Sequence, residues 1–328
     1  MTNTAAYDET NRPLAGIVFI LAGMSMISVN DVLVKYLSDG YPLHQIVLVR
    51  SLVGICFSLV MVQFEGGWRI LKTDRPILHI LRGLLIVVAN LTFFMALAAM
   101  PIGEATAIFF VAPLFITLLS VVILGESVGI RRIGAVIAGF AGVVVMLNPL
   151  GRGGEGPGLL VALLPIVAAF TYASFQIMTR KLGASARASA MAVYIQTIFI
   201  VVSLGFFLVV GDGRLAEETD NPSLIFIFRV WVWPPVDDWP VFAALGVISA
   251  GVAYALSQAY RVASAATVAP FEYVALPLAT LWGFLIFHET PDLRGLAGMA
   301  LILGAGLYIL ARERRRGRVR RDARPVRR

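Results

Sequence analysis

Apolar runs and short polar breaks alternate along almost the whole chain. Ten runs are each long enough to cross the hydrocarbon core of a bilayer as a helix, which takes about 20 residues. Each run is apolar nearly all round, so helical periodicity does not indicate which face meets protein and which meets lipid. The pattern predicts an all-α integral membrane protein. The predicted spans cover residues 14–37, 42–63, 76–98, 102–124, 128–148, 158–182, 188–210, 240–261, 265–287 and 292–311.

The composition agrees with this class of protein. Hydrophobic residues make up 59% of the chain and charged residues 14%, and the mean hydropathy is +0.84. Soluble domains contain about 25% charged residues, so a membrane-embedded chain is expected. The polar tail of residues 1–13 does not resemble a cleaved signal peptide. Cys56 is the single cysteine, so no disulfide framework and no thiolate metal site are predicted.

Lysine and arginine are distributed unevenly between the two sides of the predicted membrane. With the N-terminus inside, 21 of these residues fall in cytoplasmic segments and four in outer loops, and ten of the 21 are arginines in the tail at residues 312–328. Positive residues concentrate on the cytoplasmic side of membrane proteins, so both termini are predicted to be cytoplasmic. The basic tail is expected to contact anionic lipids rather than nucleic acid.

An internal repeat relates the two parts of the chain. The segment Pro101–Val145 matches Ser264–Tyr308 at a shift of about 163 positions, which places Glu126 on Glu289. These two glutamates lie at predicted membrane borders. They are expected to cap turns and to pair with an arginine five residues further along.

Two halves of five helices each follow from the repeat. The first half covers residues 14–148, residues 149–157 form a linker, and the second half covers residues 158–311. Because five is an odd number, the second half enters the membrane in the opposite orientation, as in the inverted repeats of many transporters. An insertion in the second half, at residues 211–239, is predicted to be a solvated acidic loop with an interfacial aromatic anchor, or a lid over the outer mouth.

The repeat unit contains a specific motif. In each half, one helix leads into Gly125-Glu126 or His288-Glu289 and then into a helix rich in glycine and alanine. This arrangement resembles the drug/metabolite transporter superfamily, most closely its EamA-type branch and more loosely the bacterial aromatic amino-acid exporters, over roughly residues 14–311. The resemblance implies a basket of helices around a central cavity that opens alternately to each side. It also implies a secondary transporter of a bacterial inner membrane, and no cofactor is predicted.

Charged side chains inside the predicted spans are functional candidates, because a charge at the bilayer centre costs at least about 2.5 to 3.5 kcal/mol. Asp31 and Lys35 are four residues apart and are predicted to form an ion pair on one helix face or to serve as a proton site. Arg50 completes this cluster or holds a substrate carboxylate. Glu104 and Glu272 are candidates to bind a substrate ammonium or exchange protons, or they pair with a basic residue.

Polar groups also lie beside aromatic rings at helical spacing. Asn90 with Phe94, and Tyr254 with Gln258, are four-residue pairs on one face of the third and eighth spans. Such pairs suit an amphipathic substrate, with rings for its apolar part and amides or hydroxyls for its polar head. Alternatively, the rings pack the bundle and the amides join helices. The repeated stretch adds the candidates Phe109, Phe110 and Tyr273.

Prolines and small residues predict where helices bend and where they pack closely. Pro113, Pro270 and Pro277 lie in the fourth and ninth spans, where they remove backbone hydrogen bonds and are expected to create bends that act as gates. The glycine-rich fifth and tenth spans permit close helix packing, either within one subunit or in a homodimer.

The reactive motifs of enzymes are missing from the sequence. The chain has three histidines and no H-E-x-x-H, Walker or carboxylate-rich metal motif, so neither catalysis nor a metal site is predicted. We predict a secondary transporter that exports small metabolites by alternating access, with aromatic or other hydrophobic amino acids as the first candidates. The alternatives are nucleoside-like metabolites, cationic drugs, and a lipid flippase or membrane scaffold.

Overall fold

The computed structural model describes residues 12–73, 75–125, 130–147, 158–182, 188–262 and 269–322, and in these residues every regular element is a helix. Three of the elements are 3-10 helices: Trp68–Leu71, Val236–Asp238 and Ala269–Val274. The α-helices are α1 (Pro13–Leu37), α2 (Leu43–Glu65), α3 (Pro76–Leu97), α4 (Ile102–Phe109), α5 (Ala112–Leu124), α6 (Ile130–Leu147), α7 (Leu159–Leu182), α8 (Ala188–Val210), α9 (Arg214–Glu217), α10 (Pro222–Phe228), α11 (Trp239–Val262), α12 (Ala275–Phe287) and α13 (Leu293–Asp322).

Apolar helices of membrane-spanning length dominate the described residues. Seven helical segments are long and apolar enough to cross a membrane, and three shorter segments are apolar. All ten fall at the positions of predicted spans, although α13 continues past the predicted end at residue 311. Phe64, Val122 and Leu208 are examples of the large apolar side chains that are exposed on these helices. Helices that face lipid are expected to carry such side chains.

The helices pack in pairs that join the two predicted halves. α1 packs along α11, and α3 packs along α7. α5 contacts α7, and α12 contacts α1. Three further pairs join corresponding helices of the two predicted halves: α2 with α8, α4 with α12, and α6 with α13. In the predicted repeat, the first span corresponds to the sixth, the second to the seventh, and so on. When each span in these seven pairs is exchanged for its counterpart, the same seven pairs result.

Both predicted spans that contain prolines near their middle are interrupted. α4 and α5 separate at Phe110 and Val111, and the second residue of α5 is Pro113, which cannot donate a backbone hydrogen bond. In the ninth predicted span, the 3-10 helix that contains Pro270 precedes α12, and Pro277 is the third residue of α12. The single helix predicted over residues 102–124 is therefore two helices. For residues 265–287, the first four lie outside the described residues.

The second parts of the interrupted spans match closely. α5 and α12 each contain 13 residues and begin 163 positions apart. They also end 163 positions apart, at Gly125 with φ 67° and at His288 with φ 54°. The left-handed conformation at both ends is a common way for a helix to stop, and glycine adopts it with least strain. The shift found in the sequence thus extends to the ends of these helices.

Glycines allow α6 and α13 to cross at short distance. A Cβ atom on Gly298 would lie 2.6 Å from the Gly142 carbonyl oxygen and 2.1 Å from Cγ of Met146. Packing within one subunit, one of the two predicted alternatives, therefore accounts for these two glycines. A Cβ atom on Gly134 or on Gly304 would meet nothing within 4 Å.

The insert at residues 211–239 is folded, so the prediction of a solvated loop is wrong for its α10 helix. α10 packs against α2 and α3, and its Phe226 side chain is buried. The Ser223 hydroxyl donates to the Met95 carbonyl oxygen near the end of α3 at 2.6 Å. Aromatic and aliphatic residues of the insert supply enough apolar surface to pack, in spite of its acidic side chains.

Hydrogen bonds hold the rest of the insert against the start of α2. The Gln45 amide donates to the Val232 carbonyl oxygen at 2.7 Å and accepts from the Val232 backbone N–H at 3.3 Å. The Tyr41 hydroxyl donates to a carboxylate oxygen of Asp238. Burial and the neighbouring Asp238 carboxylate raise the pKa of Tyr41 to about 12, so the phenol remains a donor at neutral pH.

Candidate substrate cavity

A cavity of about 420 Å³ lies between the two predicted halves of the protein. It falls within the size range of small-molecule sites. No residue of the insert lines it. Residues from α1 to α5, α7, α8, α11 and α12 contribute, together with one residue of the 3-10 helix before α12. Its polar lining residues are Ser28, Asn30, Asp31, Arg50, Asn90, Thr106, Tyr172, Gln196, Ser249 and Glu272.

Arg50 is the cation among the described residues that line the cavity, and it is held in place from several sides. Its Nη2 atom donates to Oδ1 of Asn90 at 2.7 Å, which joins α2 to α3. The guanidinium lies over the rings of Phe94 and Phe199, with 5.5 and 5.7 Å to their centroids. Cation–π contacts of this kind stabilise a guanidinium that has left water. Asn90 and Phe94, predicted as cavity residues, thus both line the cavity and both position Arg50.

Asp31 provides an acidic group that interacts electrostatically with Arg50. One carboxylate oxygen of Asp31 accepts from the Asn30 amide at 3.2 Å, and Oδ1 of Asn30 accepts from the Ser249 hydroxyl at 3.1 Å. The carboxylate is buried. Asp31 and Arg50 together form what we call the charged pole of the cavity.

Aromatic rings form the wall beside this charged pole. Phe109 lies 5.1 Å from Phe93 and 5.4 Å from Tyr172, measured between ring centroids. Phe110 also lines the cavity and stacks on Tyr273, with 5.0 Å between centroids. Glu272 lines the cavity as predicted and acts electrostatically on Tyr172 and Tyr273. The wall therefore offers flat apolar surface with a carboxylate at its edge.

Lys35 and Glu104 lie outside the cavity. The prediction that Lys35 pairs with Asp31 is wrong, because Lys35 forms its salt bridge with Glu289, at 2.7 Å between Nζ and Oε1. Glu289 was expected to pair with Arg294 instead. Glu104 is buried near Glu289 in a second, much smaller cavity. Glu126, the predicted counterpart of Glu289, lies outside the described residues.

Three further candidates, Tyr254, Gln258 and Tyr273, do not line the cavity. Tyr254 is half exposed and meets the ring of Phe19, and neither Tyr254 nor Gln258 lines the cavity. The lining positions of α11 are Ser249, Val252 and Leu256, a different face of the helix. Tyr273 is buried with its hydroxyl against α13, where Gly306 leaves room for it. Among the prolines, Pro113 lines the cavity, whereas Pro277 is exposed.

Four further polar residues line the cavity and were not predicted from the sequence: Ser28, Tyr172, Gln196 and Ser249. Tyr172 accepts a hydrogen bond from the Gln176 amide, four residues further on, at 2.8 Å. This is the spacing of an aromatic and an amide that singled out Asn90 and Phe94, so the same signal was available. Gln196 is one amide in a long apolar run. Among the described residues, no group of three or more His, Cys, Asp or Glu side chains is arranged to hold a metal ion.

Comparisons with known proteins agree with a helical transporter. The sequence profile of the EamA-like transporter family matches residues 14–148. A riboflavin transporter of Vibrio cholerae is 30% identical over 95% of this chain and 98% of its own length. The chain belongs to the EamA-like transporter family, within the drug/metabolite transporter superfamily, and is a multi-pass membrane protein.

Other relatives carry different substrate names. An S-adenosylmethionine uptake transporter of Rickettsia prowazekii is 28% identical and aligns over 94% of this chain and 96% of its own length. A pseudopaline exporter of Pseudomonas aeruginosa is 24% identical over 89% and 94%. A solved crystal structure, 20% identical, covers 91% of this chain and 98% of its own chain with a TM-score of 0.61, which supports the fold. The looser resemblance to aromatic amino-acid exporters stays a prediction.

Proposed function

We propose that the cavity binds a small zwitterionic metabolite with a flat or apolar side group and that the protein carries it across the membrane. The observation that supports this most directly is the charged pole of Asp31 and Arg50 beside the wall of aromatic rings. An ammonium is attracted by Asp31 and a carboxylate by the guanidinium of Arg50. The rings of Phe109 and Tyr172 then cover the apolar part of the substrate.

Aromatic and other hydrophobic amino acids remain the first substrate class that fits this arrangement. S-adenosylmethionine, which names one relative, shares the amino-acid head and also carries a flat adenine ring. Riboflavin, which names another, has a flat ring system but no amino-acid head. The cavity of this chain contains both a buried acid, Asp31, and a partly buried guanidinium, Arg50, which favours the zwitterion over an uncharged ring compound.

Movement of the substrate requires two conformations of the helix bundle. We propose two inverted halves, residues 14–148 and 158–311, that rock about the cavity and bend at the interruptions near Pro113 and Pro270. The symmetric pairing of spans and the matched ends of α5 and α12 support the repeat. We further propose a bacterial inner membrane with both termini in the cytoplasm. Export of an accumulated amino acid down its gradient is the expected direction.

Competition binding to the purified protein in nanodiscs tests the substrate class. Labelled tryptophan is displaced by unlabelled tryptophan, by tryptamine, which lacks the carboxylate, and by indole-3-propionate, which lacks the ammonium. We expect both truncated analogues to bind about tenfold or more weakly, because each leaves one charged group of the pole without its partner. Equal affinity for all three ligands, or preference for riboflavin over every amino acid tested, contradicts the zwitterion proposal.

A further inference from the structure

A salt bridge outside the cavity joins three parts of the chain at one end of the helix bundle. Lys35, near the end of α1, places Nζ 2.7 Å from Oε1 of Glu289, which follows α12. The same Nζ donates to the Met100 carbonyl oxygen at 2.8 Å. The other carboxylate oxygen of Glu289 accepts from the backbone N–H of Ile102, at the start of α4, at 2.9 Å.

The surroundings of this pair distinguish it from a salt bridge on a solvated surface. The side chains of Lys35 and Glu289 are 12% and 20% exposed, and Nζ lies 5.1 Å from the ring centroid of Phe287. The Ile102 N–H lies in the first turn of α4 and has no acceptor within the helix. The Glu289 carboxylate accepts from it and so also caps α4. Partly buried charges with several hydrogen bonds hold elements together more firmly than exposed pairs do.

The pair and its partner Ile102 belong to or follow three helices that line the cavity, and all three residues lie outside the cavity itself. Lys35 is one turn past Asp31 on α1, and Ile102 is one turn before Thr106 on α4. Glu289 follows His288, the residue after the end of α12, and Ala275 and Ala279 in the first turns of α12 line the cavity. These three helices cannot separate at this end while both bonds of Glu289 and the bonds of Lys35 remain.

We propose that Lys35 and Glu289 form an ionic gate that closes this end of the substrate cavity and must break for the cavity to open there. The gate joins α1 in the first half to the α12–α13 connection in the second, so its rupture frees the halves to rotate. This inference rests on the proposed transport function, but its test measures access to the cavity and needs no substrate.

Cysteine labelling measures this access directly. Thr106→Cys places a thiol in the cavity at a hydroxyl that makes no hydrogen bond, in a background where the exposed Cys56 is replaced by serine. An impermeant thiol reagent is applied to right-side-out and to inside-out membrane vesicles. We expect Glu289→Gln to raise the labelling rate by about fivefold or more. The increase is expected only from the membrane face that carries the insert, which packs at the same end of α1 and α3.

Two variants make the result specific to the gate. Lys35→Gln removes the charge but leaves the Glu289–Ile102 hydrogen bond, and it is expected to raise labelling from the same face. Arg214→Gln breaks the exposed Arg214–Asp212 pair, whose side chains are 81% and 46% exposed, and is expected to leave labelling unchanged. Unchanged labelling in Lys35→Gln, or an equal increase from both faces, overturns the gate. Neither result bears on whether the cavity binds a zwitterion.

Discussion

Arg50 and Asp31 have different partners, so they are expected to determine different parts of substrate selectivity. Arg50 is held by Asn90 and two rings, which aim a fixed guanidinium at the cavity. Asp31 is held by Asn30, which is itself held by Ser249. The carboxylate of the proposed substrate is therefore expected to meet a group fixed by α2 and α3, and its ammonium a group fixed by α1 and α11.

Substitutions that each remove one charge separate these two contributions. Arg50→Gln is expected to abolish the preference for tryptophan over tryptamine, because the carboxylate has lost its cation. Asp31→Asn is expected to abolish the preference for tryptophan over indole-3-propionate. Each change is expected to lower the affinity for tryptophan by about tenfold or more. Both variants serve as controls for one another, since each should retain the discrimination that the other loses; loss of both preferences in both variants contradicts the assignment.

Cavity residues could be predicted where a polar side chain lies inside an apolar span, because burial of such a group in the membrane costs free energy. Asp31, Arg50, Asn90 and Glu272 are polar groups inside apolar runs, and all four line the cavity. Tyr254 and Gln258 satisfied the same criterion but lie on another face of α11, because a helix that is apolar nearly all round gives no signal of orientation. The Lys35–Glu289 pair joins residues 254 positions apart, and no local pattern indicates such a contact.

At the scale of elements, the sequence indicated positions of helices better than their continuity. The ten apolar runs match helical segments of the structure because the length needed to cross a bilayer is nearly fixed. The break at Phe110 in the fourth predicted span follows from proline chemistry. The 3-10 helix before α12, in the ninth predicted span, could not be predicted in this way. The insert was misjudged because its acidic residues suggested solvation, whereas α10 packs against α2 and α3.

The crossing of α6 and α13 gives a prediction at this scale. Gly298→Ala is expected to lower the melting temperature of the purified protein, because the added Cβ would overlap Met146 and the Gly142 carbonyl oxygen; overpacking of this kind costs about 1 to 3 kcal/mol. Gly304→Ala is the matched control in the same helix. Its Cβ meets open space, and alanine favours the helix by about 0.5 to 1 kcal/mol, so no loss is expected. Equal destabilisation by both changes argues against the close crossing.

At the scale of the whole molecule, helices of both predicted halves build the cavity, and the proposed gate at Lys35 and Glu289 joins these halves again at one end. The repeat is predicted from the sequence, and in the structure α5 and α12 keep its shift from Ala112 and Ala275 to Gly125 and His288. Which helices touch could not, since contacts such as α1 with α11 depend on how two apolar surfaces fit. The substrate remains the least predictable property, because it depends on a few side chains in one cavity.

Counterflow in proteoliposomes tests the central claim, that the Asp31–Arg50 cavity carries a zwitterionic metabolite across the membrane. Liposomes loaded with unlabelled tryptophan and diluted into labelled tryptophan are expected to accumulate label transiently with the wild-type protein, and to do so at about one tenth of that rate or less with Arg50→Gln. Counterflow that is unaffected in Arg50→Gln would place the substrate elsewhere. No counterflow of any amino acid by the wild type, together with movement of labelled phospholipid between leaflets, would contradict the account and favour a lipid flippase.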